Sequence, residues 1–111
     1  MVKRLLLLAG LTLLWGCDGG TSRSGRILDQ DFNPVGEAKI LLRFNEKTKT
    51  TSSSDPDGRY DVHLTHAPGR YLLDLTVTKN GYVEFQNQIR SNTRDDEFDI
   101  ILKAAPKALD H

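Results

Sequence analysis

Four groups of side chains in this sequence are of types that do chemistry. Cys17 is the only cysteine. A lone thiol closes no disulfide within the chain and is left as a nucleophile, a ligand or a point of attachment. His63 and His66 are the only closely spaced histidine pair, Asp55 and Asp57 bracket Pro56, and Ser52, Ser53 and Ser54 run together. Zinc needs ligands that converge around an open position. His63 falls on the polar side of a predicted strand and His66 at a turn, which is not the spacing of a helix-borne metal motif. Asp55 and Asp57 flank a turn, but Arg59 and Asp61 follow where a calcium loop would continue its oxygen ligands. Their expected role is to stabilise the turn. The serines lack the Gly-x-Ser-x-Gly setting of an activated hydroxyl, and no glycine-rich loop opens a helix to cradle phosphate. Asp95 and Asp96 stand in a polar stretch where both carboxylates are solvated. These patterns predict no catalytic residue, no cofactor and no metal.

Cys17 is set apart by what precedes it. Lys3 and Arg4 lead into Leu5-Leu6-Leu7-Leu8-Ala9-Gly10-Leu11-Thr12-Leu13-Leu14-Trp15, and then Gly16-Cys17. A basic start, a short apolar run and a small residue before the cut are the three parts of a secretory signal. A helix over Leu5 to Trp15 would rise only ~16 Å at 1.5 Å per residue, against the ~30 Å of a bilayer core. A spanning anchor is therefore not expected. The segment resembles the signal of a bacterial lipoprotein, with Leu14-Trp15-Gly16-Cys17 standing where such signals carry their lipobox; Trp15 takes a place where the family prefers a smaller residue. The resemblance implies cleavage after residue 16, lipid on Cys17 and a place in the bacterial cell envelope. Asp18 follows the cysteine directly. In enterobacterial lipoproteins an aspartate there resembles the signal for retention on the periplasmic face of the inner membrane rather than transfer to the outer membrane.

Removing residues 1–16 leaves enough chain for one small domain and not two. It also removes Lys3 and Arg4, which turns a chain of formal net charge +0 slightly acidic. Charges of both signs are scattered, so no basic face announces nucleic acid. Without a disulfide, the domain is held by its core alone.

After the composition shift at 17–23, read as the lipidated cysteine and a flexible linker of glycine, serine and threonine, the period changes from helical to two. Ala38, Ile40, Leu42 and Phe44 alternate with polar neighbours. So do Tyr60, Val62 and Leu64; Tyr71, Leu73, Leu75 and Val77; Val83, Phe85 and Ile89; and Phe98, Ile100 and Leu102. That alternation marks half-buried strands. Residues 25–29 and 48–53 add shorter candidates, for about seven strands in all. Asp55-Pro56-Asp57-Gly58, Ala67-Pro68-Gly69 and Lys79-Asn80-Gly81 supply the turns. The expected architecture is all-β, a seven-stranded antiparallel β-sandwich of Ig-like character over 24–103. Ile40, Leu42, Val62, Leu73, Leu75, Phe85, Phe98 and Ile100 are predicted inside it, and residues 104–111 form a loose or briefly helical tail.

The order of these residues resembles the carboxypeptidase regulatory-like domain, a transthyretin-like (prealbumin-like) sandwich. Ser24-Gly25-Arg26-Ile27-Leu28-Asp29 is similar to that family's first strand, and Pro34-Val35-Gly36-Glu37-Ala38-Lys39-Ile40 to the approach to its second. Asp55, Asp57, Gly58 and Tyr60 are similar to its turn, and Pro68-Gly69-Arg70-Tyr71 and Gly81-Tyr82 continue the pattern. The resemblance implies a fold and an accessory or binding role, with no reaction attached. Some surface domains of this kind carry a Lys–Asn crosslink between first and last strands; here the stretch 97–103 has no asparagine and Lys39 faces outward. The alternative is a small transthyretin-like enzyme or enzyme subunit of the cell envelope. That fold includes a hydrolase of the urate pathway with a characteristic C-terminal tetrapeptide, which the ending Ala108-Leu109-Asp110-His111 does not match. The expected partners are the membrane, through lipid on Cys17, and an envelope protein, peptide or carbohydrate. Leu41, Leu72 and Ile101 interrupt the polar sides of their strands and are the candidate contact patch.

Overall fold

Period-two alternation becomes a sandwich when two sheets bury their apolar sides against each other. A computed structural model describes residues 19–106; Cys17 and Asp18 lie outside them, as do residues 1–16 and 107–111. The described residues form eight strands and no helix, in two four-stranded sheets. In the first, β1 (Gly19–Leu28) pairs antiparallel with β4 (Arg59–His66), and parallel with β7 (Arg94–Asp95) and β8 (Ile100–Ile101). The second runs β3 (Lys49–Ser53), β2 (Lys39–Arg43), β5 (Leu72–Thr78), β6 (Phe85–Arg90), antiparallel throughout.

The alternation predicts which side is buried. Ile27, Tyr60, Val62 and Leu64 from the first sheet meet Ile40, Leu42, Leu73, Leu75, Val77 and Ile89 from the second, with Val35, Ala38, Ile100 and Leu102 completing the core. Ile40, Leu42, Val62, Leu73, Leu75 and Ile100 are inside as expected. Phe85 and Phe98 are only partly buried and pack against the core's margin. Phe44 is exposed, because β2 has ended before it and the chain is already turning back.

Three features differ from the seven-stranded antiparallel expectation. The strands number eight, because Arg94–Asp95 add a short strand beside β1 ahead of the last one, in which Ile100–Ile101 pair. The first sheet is mixed, since β7 and β8 return beside β1 in its own direction. And β1 begins at Gly19, so residues 19–23 are strand and not linker. The ladder runs from Gly19↔His66 to Arg26↔Arg59. Its inward positions at the start are Thr21 and Arg23, whose polar groups bond inside the protein, so no apolar alternation marks it. The start of the tail is pinned rather than loose: Ala104 bridges Tyr82, and Ala105 N–H donates to Gly81 O at 2.9 Å.

The turn that carries the chain from β3 to β4 is closed against β1, with Ile27 N–H donating to Gly58 O at 2.7 Å. Gly58 takes φ 78°, and a Cβ there would lie 2.6 Å from Ile27 O. Gly81 takes φ 89° with nothing within 4 Å of its absent Cβ. Both substitutions by alanine carry the cost of a left-handed residue, about 1–2 kcal/mol. Gly58→Ala adds a backbone collision and is expected to lose clearly more in denaturant unfolding; equal losses at the two sites would show that the collision is relieved without cost.

Candidate functional site

The side chains singled out for chemistry are mostly committed to the scaffold. Asp55 Oδ1 accepts the N–H groups of Asp57 and Arg59, each at 2.9 Å, which is an Asp-stabilised turn. Ser54 is buried; its Oγ accepts Ala38 N–H at 2.9 Å and donates to Val35 O at 2.7 Å. Ser52 Oγ donates to Asp61 O at 2.8 Å and ties β3 to β4. Tyr60 donates its hydroxyl to Phe98 O, and burial pushes its ionisation well above the ordinary tyrosine range. Asp95 Oδ1 accepts Glu97 N–H at 2.9 Å, while Asp96 pairs with Arg94 at 3.1 Å; the hydrogen bond from Arg94 holds the Asp96 carboxyl below its usual range.

The histidines are not brought together. They sit three apart on one strand, so His63 points to solvent and His66 inward. His66 is the last residue of β4 rather than a turn residue, and it is buried. Thr21 Oγ1 accepts Asn92 N–H at 2.9 Å and lies 2.7 Å from His66 Nε2. On the other side of the ring, His66 Nδ1 lies 2.9 Å from Ala67 O, which can only accept. Tyr71 OH lies 2.6 Å from the same Nδ1. The group is a structural lock at one end of the sandwich: it joins the start of β1, the end of β4, the loop before β5 and the corner after β6. Beside it, Arg23 is inward and buried, with Nη2 donating to Thr93 Oγ1 at 2.9 Å and its guanidinium 5.5 Å from the Phe98 ring centre. Among the described residues its Nε has no partner.

The proposed contact residues lie apart. Leu41 is half-buried on the outward side of β2, opposite Thr51 and Thr76. Leu72 is 53% exposed at the start of β5, opposite Arg90. Ile101 is on β8, in the other sheet. Cys17 and Asp18 lie outside the described residues.

Among the open clefts, two are lined by residues of β5 and β6. One, of about 560 Å³, is lined by Arg43, Asp74, Thr76, Gln86, Asn87 and Gln88. Gln88 Nε2 donates to Asp74 Oδ1 at 3.4 Å, and Arg43 Nη2 lies 3.9 Å from Asp74 Oδ2. Gln86, Asn87 and Gln88 are exposed on the edge strand β6. The second cleft, of about 420 Å³, is lined by Arg70, Tyr71, Leu72, Arg90, Ser91 and Thr93 at the locked end. Phe44 packs on Tyr71 with ring centres 4.3 Å apart. Sequence reasoning passed over both. The run of amides at 86–88 was the available signal for the first; the second joins residues from separate turns and has no local signature.

No protein-family model and no curated protein sequence matches the chain. Solved structures share its fold. A 3-chlorocatechol 1,2-dioxygenase from Rhodococcus opacus superimposes with a TM-score of 0.59 at 11% identity over 78% of this chain and 60% of that one. A chain of a type II cohesin–X-dockerin complex from Acetivibrio cellulolyticus gives 0.54 at 16% identity, over 76% and 58% of the two chains. A candidate carbohydrate-binding protein from Bacteroides uniformis gives 0.51 at 20%, over 74% and 40%. The chain thus spans less than two thirds of each of these proteins. At such identities the likeness is one of fold, a β-sandwich, and carries no activity across.

Proposed function

We propose that the chain is a lipid-anchored protein of the bacterial cell envelope whose transthyretin-like sandwich is a non-catalytic binding or structural accessory module. The observation that carries the reading is the amide-lined cleft on β5 and β6. Ser54, Asp55, Tyr60 and His66 are spent on turns and cross-strand bonds, whereas Gln86, Asn87 and Gln88 face solvent. Primary amides present a donor and an acceptor each and match the hydroxyls of a saccharide or the backbone of a peptide. The sandwich folds of the dockerin-complex chain and the candidate carbohydrate-binding protein are compatible with a protein or carbohydrate partner.

The anchor rests on the residues before the sandwich: a basic start, a short apolar run and Gly16-Cys17. Asp18 directs the protein to the periplasmic face of the inner membrane in a host that reads that position. The module is tested by screening the full-length protein in detergent against glycan and peptide arrays. Gln86→Ala combined with Gln88→Ala is expected to weaken the strongest partner about tenfold, the value of two hydrogen bonds, with little change in melting temperature. Unchanged binding by the double variant would place the contact surface elsewhere.

A further inference from the structure

We infer that the sandwich does not stand off the membrane on a tether but sits on it, with the Arg70–Arg90 end against anionic lipid headgroups. The inference rests on the proposed lipid on Cys17. Strand β1 is already paired at Gly19↔His66, which leaves Asp18 as the single residue between strand and lipidated cysteine. Two residues of fully extended chain span at most about 7 Å. The polar layer of each leaflet is of similar depth, about 5–7 Å. With the acyl chains in the hydrocarbon, Gly19 is held at the edge of the headgroups, and the end of the sandwich around it has nowhere else to go.

That end suits the position. Gly19 is paired with His66, and a Cβ at Gly19 would lie 2.8 Å from Asn92 Oδ1; Asn92 Nδ2 bonds Gly69 O at 2.8 Å, and His66 bonds Tyr71. The loop 67–71, the corner 91–93 and the β2–β3 hairpin tip beside Tyr71 therefore share one surface with the anchor point. Arg70 and Arg90 are exposed there, line the same cleft, and among the described residues have no carboxylate within 4.0 Å. Leu72 at 53% and Phe44 at 43% exposure add apolar contact between the two cations and the aromatic Tyr71. Glu46, the carboxylate of the hairpin tip, is already paired with Arg43 and Lys49. At the opposite end, the turns around Gly58 present Asp29, Asp31, Asp55 and Asp57. A cationic, partly apolar end beside the anchor and a carboxylate-rich end away from it orient the domain on a negatively charged surface. The outward amide face then stands roughly along the membrane normal, open to a partner.

The test uses the acylated full chain in vesicles, with an environment-sensitive fluorophore on Pro68→Cys near the anchor or on Asp57→Cys at the far end. The probe surfaces are phosphatidylglycerol-rich and pure phosphatidylcholine vesicles, each carrying a headgroup-borne quencher. The label at 68 is expected to be quenched strongly on the anionic vesicles and the label at 57 hardly at all. Each basic side chain near an anionic leaflet biases docking about fivefold, so Arg70→Glu with Arg90→Glu should release the quenching at 68, as should high salt. Flotation with the vesicles reads the anchor separately. A protein that floats but whose two labels are equally accessible overturns the docked orientation and leaves the anchor standing. A wild type that does not float overturns both. Quenching at 68 that survives the double reversal and high salt overturns the anionic headgroup as the contact.

Discussion

Leu73→Ala is expected to lower the unfolding free energy by about 2–5 kcal/mol. Leu73 is fully buried in β5, paired with Ile89 and at the centre of the second sheet, where its side chain meets the other layer. Neither neighbouring strand can close the space without disturbing its own ladder, so the cavity persists and adds to the lost transfer energy. Thr76, on the opposite side of the same strand, is the control; Thr76→Ala is expected to cost ~0.5 kcal/mol or less. Denaturant unfolding of the two variants at equal m-value gives the comparison. Equal shifts would mean that the faces of β5 are exchanged.

Cys17→Ser has the largest expected effect on where the protein is found. Each buried methylene of an attached lipid contributes ~0.8 kcal/mol, so two or more chains hold a protein on a bilayer stably while one does so only marginally. Serine has no thiol to carry them. The variant should lose all incorporation of labelled fatty acid and no longer be held by acyl chains, while its sandwich unfolds at the wild-type denaturant midpoint. Acyl label retained on the serine variant would put the lipid elsewhere on the chain.

Much of the sandwich was legible because β2, β4 and β5 alternate apolar and polar residues, and their inward sides are the core. The turns at Gly58 and Gly81 were legible from residues that accept positive φ. β1 was not. Its Gly-Gly-Thr-Ser-Arg-Ser-Gly opening has linker composition, yet it pairs along its length with β4 because Thr21 and Arg23 find hydrogen bonds inside rather than apolar contacts. A hydrophobicity pattern cannot register a strand whose inward residues are polar side chains held by hydrogen bonds. β7 was missed for a different reason: two residues beside β1 are set by what lies seventy residues away and not by their own sequence. Phe85 and Phe98 were placed inside by period alone, but they sit at the sheet margin, where alternation continues and the covering layer stops. The cleft at Arg70 and Arg90 was invisible for the same reason as β7, since the two meet only through the β5–β6 pairing.

Intact-mass measurement of the wild-type protein taken from the membrane fraction decides whether lipid on Cys17 holds this sandwich at the envelope. The expected species begins at Cys17, lacks residues 1–16 and carries added acyl mass on that residue. A membrane-bound protein that retains residues 1–16 and carries no acyl mass would mean that the lipid anchor is not there.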